Sequence, residues 1–270
     1  MIVGVVSSKG GTGKTSVSTH AADWFRIYGW EPYLFDVDQQ RLAYGYSKDV
    51  GAEFEYGHVI DLPDPLSEGP TWVYNELPRL AAKYDVVIVD CPGGLNNFTG
   101  AVLKRADIAL IPTPPGYMDL KGTEWTSKTI KQVQSQRDGL PKTGIIATQY
   151  AEGRRSYRTL ERKARSLHFG FVESGIPQLE IIRTARGLPN EDDTGWESPP
   201  KLIWQMGKNK EVRKAARVFD SLFHEIFAGA DKEDPMRIQR LVTPKSKWNE
   251  LESWHKKPKE EDETRAAANS

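Results

Sequence analysis

The chain has 270 residues, with Lys plus Arg and Asp plus Glu balanced at 37 each, so whole-chain charge selects no partner and any nucleic-acid surface must be a local patch. A hydrophobic content of 38% supports a sizeable core, whereas the single cysteine, Cys91, excludes an internal disulfide and a thiolate metal cluster within one chain. That cysteine usage fits a reducing cytoplasm, no signal peptide is read ahead of the first apolar run, and no run is long enough to span a bilayer.

In chain order, Ile2-Val3-Gly4-Val5-Val6 reads as a buried strand. A glycine-rich stretch, Lys9 to Thr15, follows it, and the apolar spacing of Ser16 to Phe25 predicts a helix. Trp30 to Asp38 reads as a second strand ending in acids, and residues 62–70 as a loop rich in Pro, Asp, Ser and Gly. A helix is predicted from Val73 to Lys83 with Leu77, Leu80 and Ala81 on its buried side. Asp85 to Asp90 is an almost unbroken apolar run, as expected of a strand buried on both faces. Two more strands are read at Ile108–Pro112 and Thr143–Thr148, and helices near 120–136, 154–167 and 211–227. This alternation predicts an α/β fold, a doubly wound and mostly parallel sheet with helices on both faces. One domain is expected over 1–230, with a polar extension over 231–270 whose end has a disordered composition.

Lys9-Gly10-Gly11-Thr12-Gly13-Lys14-Thr15 carries the chemistry. Strand, glycine-rich loop and helix are the context of a phosphate-binding loop. Glycines let backbone N–H groups turn around phosphate oxygens, and the helix then starts with its free N–H groups facing the anion. Lys14 would reach the β- and γ-phosphates, the Thr15 hydroxyl would ligate Mg²⁺, and Ser16 completes the loop's contact set. Ligands of doubly wound sheets sit at the carboxyl ends of strands, where Asp38 and Asp90 are expected. Asp90 fits a carboxylate that holds Mg²⁺, usually through water. Asp36 either supports the metal site or is structural. Gly93-Gly94 would allow a mobile switch beside the γ-phosphate.

With Ser8 where the standard loop has glycine and a second lysine at Lys9, the motif resembles the deviant Walker A loop of the ParA, Soj and MinD family, P-loop ATPases that pair face to face over nucleotide. The resemblance runs from Ile2 to about Phe227 and is most specific at 9–15 and 84–92. It implies ATP and Mg²⁺ as cofactors, and a homodimer in which Lys9 crosses to the partner's phosphates. A cation delivered in this way is worth about 10³–10⁵ in rate in GTPases. Phe35 to Arg41 resembles the family's D-x-D-P-Q switch, which carries the water-orienting role to Asp38 beside Thr15 and Asp90 at the metal, although Gln39 replaces the motif's proline. Thr148 and Gln149, at the end of a strand like the family's adenine-contacting strand, and Pro177, in a Gly-Ile-Pro loop like the one that closes over the base, become nucleotide candidates. The layout is nearer to small plasmid-partition ATPases such as ParF than to long ParA proteins.

Two basic stripes are candidates for holding a DNA backbone by charge alone. One is Arg154, Arg158, Arg162 and Arg165 on a predicted helix; the other is Lys208, Lys210, Arg213, Lys214 and Arg217 at the start of the last one. Cations at a helix N-terminus oppose its dipole by about 0.3–1 kcal/mol each, which an external anion would offset. The resemblance implies nonspecific double-stranded DNA, a ParB-like or other cargo adaptor, a nucleoid-associated place in the cytoplasm, and slow, partner-stimulated hydrolysis that segregates a cargo, most simply a plasmid. Trp248, Leu251 and Trp254 recur at a three-residue spacing among lysines, as in a membrane-surface helix, but Glu260 to Glu263 would repel anionic lipid. A MinD-like membrane-positioning ATPase and a metabolic ATP-dependent enzyme on the same fold are the alternatives.

Overall fold

The computed structural model describes residues 1–59, 69–151, 154–185, 187–189, 196–198, 200–207 and 209–228. Lys208 and the extension from 229, with its tryptophans, lie outside the described residues. The strands are β1 (Ile2–Ser7), β2 (Pro32–Asp36), β3 (Glu55–His58), β4 (Val86–Gly93), β5 (Ile108–Thr113), β6 (Lys142–Tyr150) and β7 (Gly170–Pro177), with a small antiparallel pair, β8 (Leu188–Pro189) and β9 (Trp196–Ser198). The helices are α1 (Lys14–Ile27), α2 (Leu42–Asp49), α3 (Gly69–Lys83), α4 (Asn97–Leu103), α5 (Tyr117–Gln134), α6 (Arg154–Ser166), α7 (Glu180–Thr184) and α8 (Lys210–Ala228).

The seven main strands form one sheet in the order β3-β2-β4-β1-β5-β6-β7, every neighbouring pair parallel. Their period-two geometry splits each strand between two cores. Val3, Val5, Val86 and Ile88 face α1 and α8, whereas Ile2, Val6, Val87 and Val89 face α3, α4, α5 and α6. Burial on both faces explains why these strands read as continuous apolar runs. On the first face α1 and α8 interlock through aromatics. His20 stacks on Phe219 at 4.2 Å, and the buried Trp24 donates from Nε1 to Asp220 at 3.0 Å. Asp107 at the foot of β5 accepts from the Ile2 N–H at 2.7 Å, which fixes the start of β1.

Several sequence expectations shift. The second strand ends at Asp36, so Asp38 stands two residues into the turn rather than at the strand end. Residues 69 and 70, expected in a loop, begin α3. In α3, Val73 and Leu77 are fully buried, while Leu80 and Ala81 are half-buried against the same core. Gly175-Ile176-Pro177, expected as a loop, forms the end of β7.

Candidate nucleotide site

β1 sits at the centre of the sheet, between β4 and β5, and its connection through α1 goes to β2 on the far side of β4. The loop after β1 therefore opens where strand order reverses, the usual place for a ligand in such sheets. Gly13 caps α1 with φ 98°, a left-handed geometry that a side chain resists, and no side chain caps the helix. The first-turn N–H groups are left for an external acceptor. Lys14, only 7% exposed, donates from Nζ to the Lys9 carbonyl at 3.2 Å, and no carboxylate pairs with it among the described residues. A buried ammonium needs an anion, and a phosphate at the α1 terminus supplies one.

Two acids and a histidine line up across three strands. In register, His58 on β3 stands beside Asp36 on β2, which stands beside Asp90 on β4. Asp90 is fully buried; its two carboxylate oxygens accept from Thr15 Oγ1 and from Ser18 Oγ, each at 2.8 Å. Burial, then the charge of Asp36, push its pKa up to about 7, against the pull of the Ser18 and Thr15 hydroxyls and of Lys14. Ser18 escaped the sequence reading, although its spacing from Lys14 and Thr15 puts all three on one helix face. Thr15 and Asp90 present hard oxygens to one point, as Mg²⁺ prefers. Among the described residues no three His, Cys, Asp or Glu side chains make a self-sufficient metal cluster.

Asp36 proves to be the anchor of the switch turn. Its oxygens accept from the Asp38 N–H and the Tyr44 N–H, both at 2.9 Å, so one buried carboxylate ties β2, the turn and α2 together. Burial raises its pKa, and these two N–H groups and His58 pull it back. His58 donates from Nε2 to the Asp38 carbonyl at 2.7 Å, which also accepts from the Arg41 N–H at 3.0 Å. Asp38 itself is half-buried and accepts from the Gln40 N–H at 3.1 Å.

Gly93 is pinned: a Cβ there would lie 3.1 Å from the Gly10 nitrogen and 3.2 Å from its Cα. The end of β4 thus rests on the phosphate loop itself. Lys9 turns away from the loop's cavity. Its ammonium pairs with Asp119 at 2.7 Å, in the first turn of α5, and its side chain is 39% exposed.

Two cavities open from the loop. The larger, about 480 Å³, is lined by Gly10, Gly11, Gly13, Lys14, Thr15 and Ser16 with Asp38 and Gly93, and it extends over α2. The smaller, about 360 Å³, joins Gly13 and Ser16 to Thr148, Gln149, Pro177 and Leu179. Thr148 Oγ1 donates to the Thr12 carbonyl at 2.8 Å and Gln149 Nε2 to the Gly11 carbonyl at 2.6 Å, so the expected adenine residues also brace the loop. The second cavity adjoins the α1 terminus through Gly13 and Ser16. The basic stripes lie on α6 and α8, which flank the edge strand β7 on opposite faces. Arg158, Arg162, Lys210, Arg213, Lys214 and Arg217 are exposed there; Arg165 is paired with Glu161 at 2.8 Å, and the Arg154 side chain lies outside the described residues.

A central parallel strand, a glycine loop on an uncapped helix and a buried aspartate in the C-terminal half of the neighbouring β4, which runs on to Gly93 past the expected end at Asp90, define a P-loop nucleotide-binding fold. A family described as an AAA domain matches residues 65–141. The chain is 32% identical over 189 residues to the maintenance of carboxysome distribution protein A of Halothiobacillus neapolitanus, covering 67% of this chain and 81% of that one. It is 27% identical to the chromosome partitioning protein ParA of Myxococcus xanthus over 55% of this chain, and spans 65% of that relative's length. The septum site-determining protein MinD of Pyrococcus horikoshii, solved with Mg-ADP, superposes with a TM-score of 0.60 at 20% identity, covering 83% of this chain and 95% of that one. The chain belongs to the ParA/MinD family of P-loop ATPases.

Proposed function

We propose that this chain is an ATP- and Mg²⁺-dependent positioning ATPase whose nucleotide state controls a face-to-face dimer on nonspecific DNA. The α1 N-terminus and Lys14 hold the phosphates, Thr15 and Asp90 hold the metal, Asp38 orients the attacking water, and Thr148, Gln149 and Pro177 receive the adenine. Bound Mg²⁺ neutralises charge on the β- and γ-phosphates. Hydrolysis, stimulated by a ParB-like or other adaptor, releases the dimer, and the cycle segregates or positions a cargo, most simply a plasmid. The energy serves a population shift between bound and free forms.

The observation that carries this reading is the position of Lys9. Lys14 lines the loop's own cavity, whereas Lys9 stands outside it, 39% exposed and on Asp119. A loop lysine excluded from its own phosphate cavity is suited to a partner's. The exposed cations of α6 and α8, on either side of one sheet edge, supply the patch that net charge does not.

The test is binding to a random-sequence duplex at one fixed salt concentration, with ADP, with ATP, and with ATP on Lys9→Ala. Binding is expected with ATP alone and lost in the variant. Arg158→Glu with Arg162→Glu, set against Arg213→Glu with Arg217→Glu, then assigns the surface. Equal binding in all nucleotide states, or none in any, overturns the DNA-carrier reading.

A further inference from the structure

Four non-glycine residues among those described have positive φ: Arg41, Asp138, Gln149 and His168. Asp138 and His168 lie in the turns that end α5 and α6, and both types tolerate this region. Gln149 is compensated by its amide, which donates to the Gly11 carbonyl at 2.6 Å. Arg41 has neither excuse. It is a long side chain at φ 55°, ψ 29°, the cap position of α2, where Gly or Asn would be unstrained.

The surrounding backbone enforces that conformation. The Arg41 N–H donates to the Asp38 carbonyl at 3.0 Å, the Arg41 carbonyl accepts from the Gly45 N–H at 2.8 Å, and the Tyr44 N–H is held by the buried Asp36 at 2.9 Å. Strain of this kind persists where the structure over-determines it, and it gathers at ligand-binding positions. The side chain has no hydrogen bond or ion pair among the described residues, is exposed, and lines the cavity that Lys14, Thr15, Asp38 and Gly93 also line. An unpaired guanidinium beside the phosphate loop has one obvious acceptor class. It matches phosphate oxygens two at a time, which an ammonium cannot do.

We propose that Arg41 is a substrate-contacting residue that binds the terminal phosphate of ATP within its own subunit and so makes the switch turn distinguish ATP from ADP. This rests on the nucleotide reading above. Its place in the loop between Asp38 and α2 means that gripping the γ-phosphate draws α2 and the water-orienting aspartate into one geometry. Lys14 serves both nucleotides; Arg41 would serve only the triphosphate.

The experiment measures binding of ADP and of a non-hydrolysable ATP analogue, at fixed Mg²⁺ and salt, to the full chain and to Arg41→Ala, Arg41→Lys and Arg41→Gly. Work in the Lys9→Ala background confines the readout to one subunit. Arg41→Ala and Arg41→Gly are expected to weaken the ATP analogue about 10–100-fold, as loss of a charge-assisted pair implies, and ADP by less than about two-fold. Arg41→Lys should fall between. Arg41→Gly should also melt higher by about 2–4 °C, since glycine relieves the left-handed strain, which separates lost function from lost folding. An unchanged ratio of ATP-analogue to ADP affinity in all three variants overturns the proposal while leaving the nucleotide site standing. A parent chain that binds neither nucleotide overturns both.

Discussion

Replacing Asp90 with Asn should make the nucleotide-free protein more stable while abolishing its magnesium-dependent binding of nucleotide. Asp90 is 1% exposed, and its pKa is pushed from 3.8 to about 7 by burial and by Asp36. At about 1.4 kcal/mol per tenfold change in proton affinity, keeping this carboxylate ionised costs the folded chain about 4 kcal/mol. An amide has no charge to desolvate and removes the repulsion on Asp36. It offers one oxygen to the two hydroxyls of Thr15 and Ser18, and the second hydroxyl must turn to accept, which returns about 1–2 kcal/mol of the gain. The net is about 2–3 kcal/mol, or roughly 4–12 °C for a domain of this size. The pH dependence fixes the cause. Below about pH 4 the carboxyl is protonated in folded and unfolded chains alike, so the parent carries no penalty; the penalty grows as pH rises and is complete above about 7. Thermal melts at about pH 5 and about pH 8, with and without Mg-ATP, should therefore show a gap that is small in acid and wide in base, with only the parent gaining from Mg-ATP. An Asn variant that melts no higher than the parent at about pH 8, or a gap of equal size at both pH values, refutes the reasoning.

Gly93→Ala should lower the melting temperature by about 2–10 °C and weaken nucleotide binding, because the new Cβ meets the backbone of Gly10 at 3.1–3.2 Å and backbone cannot step aside. Gly122→Ala is its control: the nearest atoms there are the Ser8 hydroxyl and the Lys9 stem, which can move, and a near-neutral melt is expected. Thr148→Val removes the 2.8 Å bond to the Thr12 carbonyl and should cost about 1–2 kcal/mol, read as a lower melting temperature. His58→Phe should reduce steady-state phosphate release about five-fold with little change in KM, since one hydrogen bond to the Asp38 carbonyl is lost; His58→Gln, which keeps a donor, should recover part of that rate, and equal rates in all three would show that His58 does not position the turn.

The sheet and the phosphate loop were legible because both are local in the chain. Five strands announce themselves as apolar runs buried on both faces, and the loop is a contiguous heptapeptide between a strand and a helix. What stayed hidden depends on distance. β3 carries Glu55-Tyr56-Gly57-His58, an edge strand with mixed polarity whose burial comes from pairing with β2 and from the Tyr44 ring of α2. β7, at the other edge, breaks its apolar residues with glycines, Glu173 and Ser174, and its Gly-Ile-Pro end has the composition of a loop. The short helices α2 and α4 give too few turns for a periodic signal. His58 and Asp119 could not be placed beside Asp38 and Lys9 by any spacing rule, since 20 and 110 residues separate the pairs. Ser18, one turn beyond Lys14, was within reach of helical geometry alone.

The functional groups divide according to what holds them. Lys14, Thr15 and Asp90 are fixed from three directions: by the α1 terminus, by the sheet register and by hydroxyls within 3.0 Å, so the fold itself sets their arrangement. Asp38 and Arg41 stand in the turn after β2, whose backbone is tied to the Asp36 carboxylate and the His58 imidazole, and the Asp38 carboxylate accepts only the N–H of Gln40 in that same turn among the described residues. The exposed Arg41 side chain, with no hydrogen bond or ion pair among the described residues, therefore has freedom that the loop residues lack. In the proposed cycle, a nucleotide tethered at the rigid half would present its terminal phosphate to the half that can respond, and the response would reach α2 through the Tyr44 N–H on Asp36. In such a design affinity for the diphosphate portion and sensitivity to the third phosphate belong to different residues, and each can be altered without the other. Lys9 adds a third tier, since its 39% exposed ammonium is bound to α5 by an ion pair worth at most about 1 kcal/mol, a hold weak enough for a phosphate from a second copy to displace.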